Sequence, residues 1–230
     1  MIWAPENIQD QSGRICLITG ANSGLGYETA KFLFRRGAQV ILGCRSIEKA
    51  QLSKQKLLSY KSSGSVEILE LDLADLRKVD DAVIEIFKKY SKLDLLINNA
   101  GIMAPPRTLS AQGLEIQFAV NHIAHMALTI KLIPLLQKHP GSRIVTVTSA
   151  AQYLGKIAWD DLQGDIKYDR WASYSQSKLA NVMFALELQN NFCGNKNRPI
   201  SLLAHPGLAR TNLQPKSVEM NGYWHEALAY

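Results

Sequence analysis

The sequence is poor in cysteine, and its three cysteines provide no set of pairs on which a disulfide framework would rest. Cys16 and Cys44 lie in or at the end of apolar segments, so we expect buried, reduced thiols and a reducing compartment. No apolar run approaches the ~18 residues of a membrane span. Residues 1–6 lack the basic and apolar regions of a signal peptide. We therefore expect a cytoplasmic protein without an integral membrane segment.

Long basic runs are also absent, although the chain of 230 residues has a formal net charge of +6. A protein that binds long nucleic acid concentrates its Lys and Arg in stripes or patches, whereas here they are scattered. We therefore expect no nucleic-acid partner. The excess charge is interpreted as a solvated surface that helps to attract an anionic cofactor.

Short, nearly continuous apolar segments alternate with segments of helical periodicity along the chain. Strands that helices bury on both faces have this pattern. The sequence therefore predicts an α/β fold with a Rossmann-type doubly wound parallel sheet, helices on both faces, and one domain over residues 1–230. Residues 1–13 are expected to form an N-terminal arm. The predicted strands are 14–19, 39–43, 66–71, 93–97, 142–148 and 200–204.

A glycine-rich stretch, Thr19-Gly20-Ala21-Asn22-Ser23-Gly24-Leu25-Gly26, joins the first strand to the first helix. Glycine permits a sharp turn and lets a bulky ligand approach the backbone. The following helix offers unpaired N–H groups to a phosphate. The spacing G-x-x-x-G-x-G differs from the G-x-G-x-x-G dinucleotide fingerprint, but the same physical reasons apply. The alternative is a turn that only lets a helix pack on a strand.

Polar residues follow the carboxyl ends of the predicted strands. These ends lie together at one edge of a parallel sheet, which is where ligands bind in folds of this type. The convergence therefore predicts a cofactor site. The residues concerned are Asn22-Ser23, Arg45, Asp72, Asn98-Asn99, Ser149 and His205-Pro206-Gly207.

Tyr174 and Lys178 lie four positions apart in a predicted helix, on one face. A phenol with an ordinary pKa of ~10 transfers protons poorly at neutral pH, and a neighbouring ammonium favours the phenolate. The pair is a candidate general acid–base; the alternative is an ordinary surface pair. Ser149 ends the fifth strand, where its hydroxyl can donate to a substrate oxygen. No G-x-S-x-G motif surrounds it to suggest a hydrolase nucleophile.

The motifs of this chain, and the order in which they follow one another, resemble those of short-chain dehydrogenases/reductases over residues 14–212. The resemblance implies hydride transfer between a nicotinamide cofactor and a carbonyl/alcohol pair. Tyr174 would donate or accept the proton, and Lys178 would hold the nicotinamide ribose and lower the tyrosine pKa. Ser149 would orient the substrate oxygen, and Asn121 would anchor a water. The matching residues are Thr19-Gly20-x-x-x-Gly24-x-Gly26, Asp72-Leu73, Asn98-Asn99-Ala100-Gly101, Asn121, Ser149, Tyr174-x-x-x-Lys178 and Pro206-Gly207.

The resemblance also implies a set of cofactor contacts, which includes Tyr174 and Lys178. The pyrophosphate would lie on Gly20, Asn22, Ser23, Gly24, Leu25 and Gly26. The adenine would contact Asp72 and Leu73, and the adenosine ribose would contact Asn99, Ala100 and Gly101. The nicotinamide end would face Pro206, Gly207 and Thr211.

The residues after the second strand bear on the choice of cofactor. An acidic residue there would bind the 2′-hydroxyl of an adenosine ribose, whereas a cation would accept a 2′-phosphate. Gly43-Cys44-Arg45 follows this strand, and no acidic residue precedes Glu48. The forked donors of arginine suit phosphate. We therefore predict NADP(H) in preference to NAD(H); the alternative is that Arg45 is a solvated loop cation.

Within the family, Cys44-Arg45, the Asn121-His122 step and the wide spacing from Ser149 to Tyr174 resemble the retinol-dehydrogenase-like and WW-domain oxidoreductase-like branch. Trp159 and Trp171 lie in this spacing and suit a small apolar carbonyl or alcohol substrate; the alternative is that they serve structural packing. A homodimer through helices at 114–137 and 173–192 is a further implication of the family. His122 and His125 have no evident third ligand, so we expect no metal site.

The resembling family continues past the last predicted strand with a lid region, a seventh strand and a further helix. Residues 208–230 would supply only part of the substrate lid, so we expect the C-terminal part of the fold to be missing. Two classes of function remain: an NADP(H)-dependent oxidoreductase, and an NADP(H)-binding sensor or scaffold without turnover. The complete set of catalytic residues favours the enzyme, whereas the missing C-terminal part favours the sensor or scaffold. A protochlorophyllide-reductase-like activity ranks lower, because Asn98-Asn99-Ala100-Gly101 has the general dehydrogenase form.

Overall fold

The computed structural model describes residues 4, 7–193 and 198–207 of the chain. Their strands form one six-stranded parallel sheet in the order β3-β2-β1-β4-β5-β6. This arrangement confirms the predicted doubly wound α/β fold. The strands are β1 (Ile15–Thr19), β2 (Gln39–Cys44), β3 (Ser65–Glu70), β4 (Leu95–Asn98), β5 (Arg143–Val147) and β6 (Ile200–Ala204).

Helices cover both faces of the sheet. In the central strand β1, Leu17 faces a core shared with α3, α5 and α6, whereas Cys16 and Ile18 face a core shared with α1 and α2. Burial of alternate side chains in two cores explains why the strand is apolar throughout. The helices are α1 (Gly24–Arg35), α2 (Ile47–Leu58), α3 (Leu76–Lys89), α4 (Ile116–Phe118), α5 (Ala124–Leu136) and α6 (Arg170–Phe192).

The strand register aligns the carboxyl ends of the strands. Thr19 at the end of β1 pairs with Gly43, and Asn98 at the end of β4 pairs with Thr146. The strand order reverses between β1 and β4, which places the switch point of the sheet at the glycine-rich stretch. The loops that carry the predicted site residues therefore leave the sheet at one edge.

Three helical segments differ from the sequence prediction. The helix predicted over 114–137 is α4, a π-helical turn at Ala119–Ile123, and α5. The helix predicted from Ser173 begins at Arg170, because the Asp169 carboxylate accepts a hydrogen bond from the Ala172 N–H at 2.7 Å and so caps an earlier turn. The loop predicted over 150–172 contains a 3₁₀ turn, Ala150–Leu154.

One continuous helical stretch, Ile116–Leu136, is long and apolar enough to span a membrane by length and composition. Polar residues such as Asn121 and His125 interrupt this stretch, so it contains no uninterrupted apolar run of that length. In the structure, the stretch packs on the sheet and contributes Leu128 and Leu132 to the core, a position that requires the same composition. The expectations of a cytoplasmic location and of no membrane segment stay predictions.

Candidate active site

The glycine-rich stretch forms a tight turn against the segment after β4. Gly20 has φ +66° and Gly24 has φ +53°, a left-handed conformation that glycine adopts without strain. A β-carbon at Gly20 would lie 3.0 Å from Ala100, and one at Gly26 would lie 2.6 Å from Asn99 Nδ2. The glycines thus let the turn pack directly against the segment after β4, at the switch point of the sheet where the sequence predicts a pyrophosphate.

The first turn of α1 presents its N–H groups at the same edge. Ser23 holds the N-cap position in extended conformation, but its side chain makes no capping hydrogen bond to the described residues. The hydroxyl of Ser53 donates to the carbonyl oxygen of Asn22 at 2.9 Å and so orients the loop. Leu25 lies in the first turn of the helix itself. The uncapped helix end is suited to an anion.

Cys44 supports the loop from below, a contact that the sequence analysis missed. The backbone N–H groups of Ala21 and Asn22 donate to its sulfur, and burial raises the pKa of the Cys44 thiol to about 11. Cys16 and Cys44 are buried and unpaired, as predicted. The thiol therefore stays protonated, and its sulfur holds the backbone of Ala21 and Asn22 in place.

Arg45 follows Cys44 and extends into solvent. Within the described part of the chain, its guanidinium has neither an ion pair nor a hydrogen bond, so its donors are available to a ligand. The carbonyl oxygen of Gly43, two residues before Arg45, accepts a hydrogen bond from the Gly20 N–H at 2.8 Å, which ties the end of β2 to the glycine turn. The structure thus brings Arg45 to the loop edge, as predicted.

Asp72 and Leu73 follow β3 at the same edge. Asp72 Oδ1 accepts from the Ala74 N–H at 2.9 Å, which leaves Oδ2 for a ligand. The Leu73 side chain is buried in the core that includes α3. Only the backbone of Leu73 is therefore positioned for an adenine contact, whereas the carboxylate of Asp72 can act directly.

Asn99, Ala100 and Gly101 form the floor between β1 and β4. The N–H groups of Asn99 and Ala100 both donate to Thr19 Oγ1 at 2.9 Å, and Asn99 Nδ2 donates to the Thr19 carbonyl oxygen at 2.8 Å. A β-carbon at Gly101 would lie 3.2 Å from Asn121 Oδ1 and 3.4 Å from Lys178 Nζ. Gly101 thus joins the predicted cofactor floor to the predicted catalytic residues.

Asn121 lies in the π-helical turn and is fully buried. Its Oδ1 accepts from the Ile102 N–H at 2.8 Å, and its Nδ2 donates to the Ile102 carbonyl oxygen at 3.0 Å and to Ser177 Oγ at 2.9 Å. The side chain therefore fixes the backbone after Gly101 and connects it to α6. The proposed water at Asn121 stays a prediction. Ser177 had not been singled out, since nothing in its sequence context marks it.

Lys178 and Tyr174 lie on the face of α6 that packs on the sheet, and both side chains are buried. Lys178 Nζ lies 5.7 Å from the centre of the Tyr174 ring and donates to the Val147 carbonyl oxygen at 3.4 Å. Burial lowers the pKa of Lys178 to about 8. The ring of Trp171 contacts Tyr174 edge-on, with 6.4 Å between centroids. The predicted pair is thus a buried pair and not an ordinary surface pair.

Ser149 lies just past the end of β5, near Lys178. The two are connected through Thr148, whose hydroxyl donates to the Lys178 carbonyl oxygen at 3.1 Å. Ser149 Oγ accepts from the Ala151 N–H at 3.3 Å, which leaves the hydroxyl proton for a substrate oxygen. The pair Tyr174 and Lys178 therefore lies at the carboxyl end of β5, which Ser149 follows in the chain.

The nicotinamide end of the predicted site is described in part. Pro206 and Gly207 follow β6 at the same edge and are exposed; Gly207 has φ +68° and donates its N–H to His205 Nδ1 at 3.1 Å. Thr211 and the proposed lid at 208–230 lie outside the described residues. Within the described ranges, no group of three His, Cys, Asp or Glu side chains is placed to hold a metal ion.

This fold and site define a class of protein. The chain matches the family model described as short chain dehydrogenase over residues 14–222, and it belongs to that family. Among curated relatives, it is 42% identical to Retinol dehydrogenase 14 of Mus musculus over 87% of this chain and 63% of that protein. It is 37% identical to Retinol dehydrogenase 11 of Mus musculus over 92% of this chain and 66% of that protein. The chain thus spans somewhat less than two thirds of these relatives.

Solved structures show the same relationship. A crystal structure of an uncharacterised protein from Mycobacterium Paratuberculosis is 41% identical and has a TM-score of 0.80, covering 94% of this chain and 76% of that one. A structure described as a short chain dehydrogenase from Shigella flexneri, complexed with NADP, is 25% identical with a TM-score of 0.70. It covers 94% of this chain and 84% of that chain. These similarities confirm the family that the motifs indicated.

Proposed function

We propose that the chain is an NADP(H)-dependent oxidoreductase that interconverts a carbonyl and an alcohol on a small apolar substrate. The observation that carries the proposal is that Lys178 and Asn121 both lie next to Gly101, the last residue of the cofactor floor. Lys178 also lies beside the ring of Tyr174. The glycine turn at the start of α1 and Gly101 beside Lys178 of α6 lie along the path that a bound dinucleotide would follow. The family and the curated relatives support this reading.

The bound nicotinamide would supply or accept the hydride. In the direction of reduction, Ser149 donates its free hydroxyl proton to the substrate oxygen as a hydrogen bond and so stabilises the developing charge. Tyr174 transfers its phenolic proton to that oxygen, and the ammonium of Lys178 stabilises the resulting phenolate. Oxidation of the alcohol reverses these steps. The Asn121 side chain binds the Ile102 backbone and so fixes the preceding residue, Gly101, in its position next to Lys178.

The preference for NADP(H) is supported by the exposed Arg45 at the end of β2. Its donors have no partner among the described residues, and the adjoining turn is tied to Gly20. A 2′-phosphate would satisfy the guanidinium through two hydrogen bonds. The NADP complex of the Shigella flexneri structure is consistent with this choice.

An apolar substrate is supported by the surface after Ser149. Four large apolar side chains there are more than two thirds exposed: Tyr153, Leu154, Trp159 and Ile166. Retinol is an apolar alcohol, and the curated relatives are named for it. We also propose a homodimer through α5 and α6, which expose Ile130, Met183 and Leu186; light scattering would detect it.

Binding and turnover are measured separately to test the proposal. Quenching or enhancement of NADPH fluorescence reports binding, and loss of absorbance with a panel of aldehydes and ketones reports turnover. The proposal expects both, with NADPH bound more tightly than NADH. Binding without turnover over the whole panel would favour the sensor or scaffold reading.

A further inference from the structure

His125 lies in the first turn of α5, next to Thr19, which supports the floor residues Asn99 and Ala100. Only 1% of its surface is exposed. Its Nε2 lies 2.8 Å from Thr19 Oγ1, and its Nδ1 lies 3.1 Å from the main-chain carbonyl oxygen of Asn121. The imidazole therefore joins the end of β1 to the π-helical turn. It is among the buried polar groups that the proposed reaction does not use.

The partners determine which ring nitrogen carries the proton. A carbonyl oxygen only accepts, so Nδ1 must donate to Asn121 and Nε2 must accept from the Thr19 hydroxyl. That hydroxyl has one proton and two lone pairs. The proton goes to His125, and the lone pairs accept the N–H groups of Asn99 and Ala100. The Asn99 N–H also lies 3.0 Å from the Ile97 carbonyl oxygen, whereas among the described residues the Ala100 N–H has only the Thr19 hydroxyl as its partner.

The orientation of the Thr19 hydroxyl depends on His125, because the Ile97 carbonyl oxygen competes for the same proton. That oxygen is 3.4 Å away, beyond the usual range for an O–H donor, whereas Nε2 is at 2.8 Å. Without the imidazole, the hydroxyl would rotate toward Ile97, and its lone pairs would turn away from Asn99 and Ala100.

We propose that His125 is a positioning residue for the dinucleotide, which it serves by orienting the Thr19 hydroxyl beneath Asn99 and Ala100. This inference rests on the proposed function, since those two residues form the floor for the cofactor. Burial lowers the pKa of His125 to about 4, and the neighbouring Lys178 contributes to the lowering. The imidazole is thus neutral at neutral pH, as an acceptor at Nε2 must be.

Two substitutions separate the two bonds of the imidazole. The amide of His125→Gln reaches the position of Nε2 and keeps an acceptor for Thr19, whereas that of His125→Asn reaches only the position of Nδ1 and keeps the bond to Asn121. His122→Asn is a matched control, since His122 lies on the same helical stretch and bonds Asn181. NADPH affinity is measured by fluorescence, and exchange of the Asn99 and Ala100 amides is measured in the ligand-free protein.

We expect His125→Asn to weaken NADPH binding on the order of tenfold, as loss of one buried hydrogen bond does. The same variant should speed exchange at Asn99 and Ala100, while His125→Gln and the control stay close to the original protein. Adding Thr19→Val to His125→Asn should weaken binding no further, because both changes remove one interaction.

Equal NADPH affinities and equal exchange rates in the Asn and Gln variants would overturn the proposal. If the histidine variants do not fold, Thr19→Val and Thr19→Ser replace them; equal exchange at Asn99 and Ala100 in those two would also overturn it. If the original protein binds no dinucleotide, the proposed function fails. The exchange rates still decide whether His125 orients the floor.

Discussion

The ammonium nitrogen of Lys178 lies 3.4 Å from the point where a β-carbon at Gly101 would begin. A β-carbon there would also lie 3.2 Å from Asn121 Oδ1, so only glycine lets the backbone pack this closely against both side chains. We attribute to this close packing the position of the cofactor floor beside the reacting residues. The relationship gives the first of five predictions.

Gly101→Ala should weaken NADPH binding and lower turnover, each on the order of tenfold, because the added methyl group displaces Asn121 or Lys178 from its position. Gly101 does not have a left-handed conformation, so the backbone accepts alanine, and the crowding should cost about 1–3 kcal/mol in the free energy of unfolding. Fluorescence titration and a urea melt test the two statements. Full NADPH affinity in the variant would show that the cofactor does not pass Gly101.

Lys178→Met should abolish turnover but stabilise the fold at pH 7. Burial holds the pKa of Lys178 near 8, below the ~10.5 of an unfolded chain, so charging this lysine costs stability at neutral pH. The folded protein recovers that stability as the pH rises from 8 to 10.5. The methionine variant should thus gain on the order of 1–3 kcal/mol at pH 7 and lose the advantage near pH 10.5.

Urea melts of the two proteins at both pH values check this expectation. Lys88→Met, a change at an exposed lysine of α3, serves as the control and should show no such dependence. A methionine variant that is less stable than the original protein at pH 7 would contradict a cost of burying the ammonium.

Arg45→Glu should shift the cofactor preference from NADPH toward NADH by roughly 10- to 100-fold, the range expected for charge-assisted hydrogen bonds to phosphate. The new carboxylate repels a 2′-phosphate and accepts from a 2′-hydroxyl. Lys49→Glu makes the same change of charge on exposed α2 and should leave the ratio of the two Kd values unchanged. An unchanged ratio in the Arg45 variant would refute the proposed phosphate contact.

His125 should make the fold sensitive to acid. Burial lowers the pKa of His125 from 6.5 to about 4, so the unfolded chain binds the proton first. The contribution of the neutral imidazole to the free energy of unfolding is therefore complete above pH 6.5. It is lost as the pH falls toward 4, by up to about 3 kcal/mol. The glutamine of His125→Gln cannot titrate, so the amount by which this variant is less stable than the original protein at pH 7 should shrink at pH 4.5. Parallel stability curves for the two proteins would contradict a buried neutral imidazole.

The sequence predicted the sheet well because its strands are buried on both faces, and burial leaves a continuous apolar run. Asp75 caps α3 through an equally local contact, since its carboxylate accepts from the Arg77 N–H at 3.0 Å. These features depend on residues close together in the chain. The polar residues after the strands were predicted to lie at one edge of the sheet, because parallel strands point in the same direction.

Features that depend on distant partners were not predictable in this way. Thr19 and His125 are 106 positions apart, and no local pattern signals their hydrogen bond. The π-helical turn has no distinctive composition, so Asn121 was placed in a regular helix. The family motif predicts that Leu73 contacts the adenine, but it does not show that the Leu73 side chain is buried in the core beside α3.

The central claim is that Tyr174 transfers a proton to the substrate oxygen in an NADP(H)-dependent reaction. The most direct test compares the original protein with Tyr174→Phe, in NADPH affinity and in NADPH oxidation with a panel of apolar aldehydes and ketones. We predict that the original protein turns over at least one of them, and that the variant binds NADPH normally but reacts about 10²- to 10⁴-fold more slowly. Turnover at the same rate in both proteins, or NADPH binding without turnover in the original, would contradict the account.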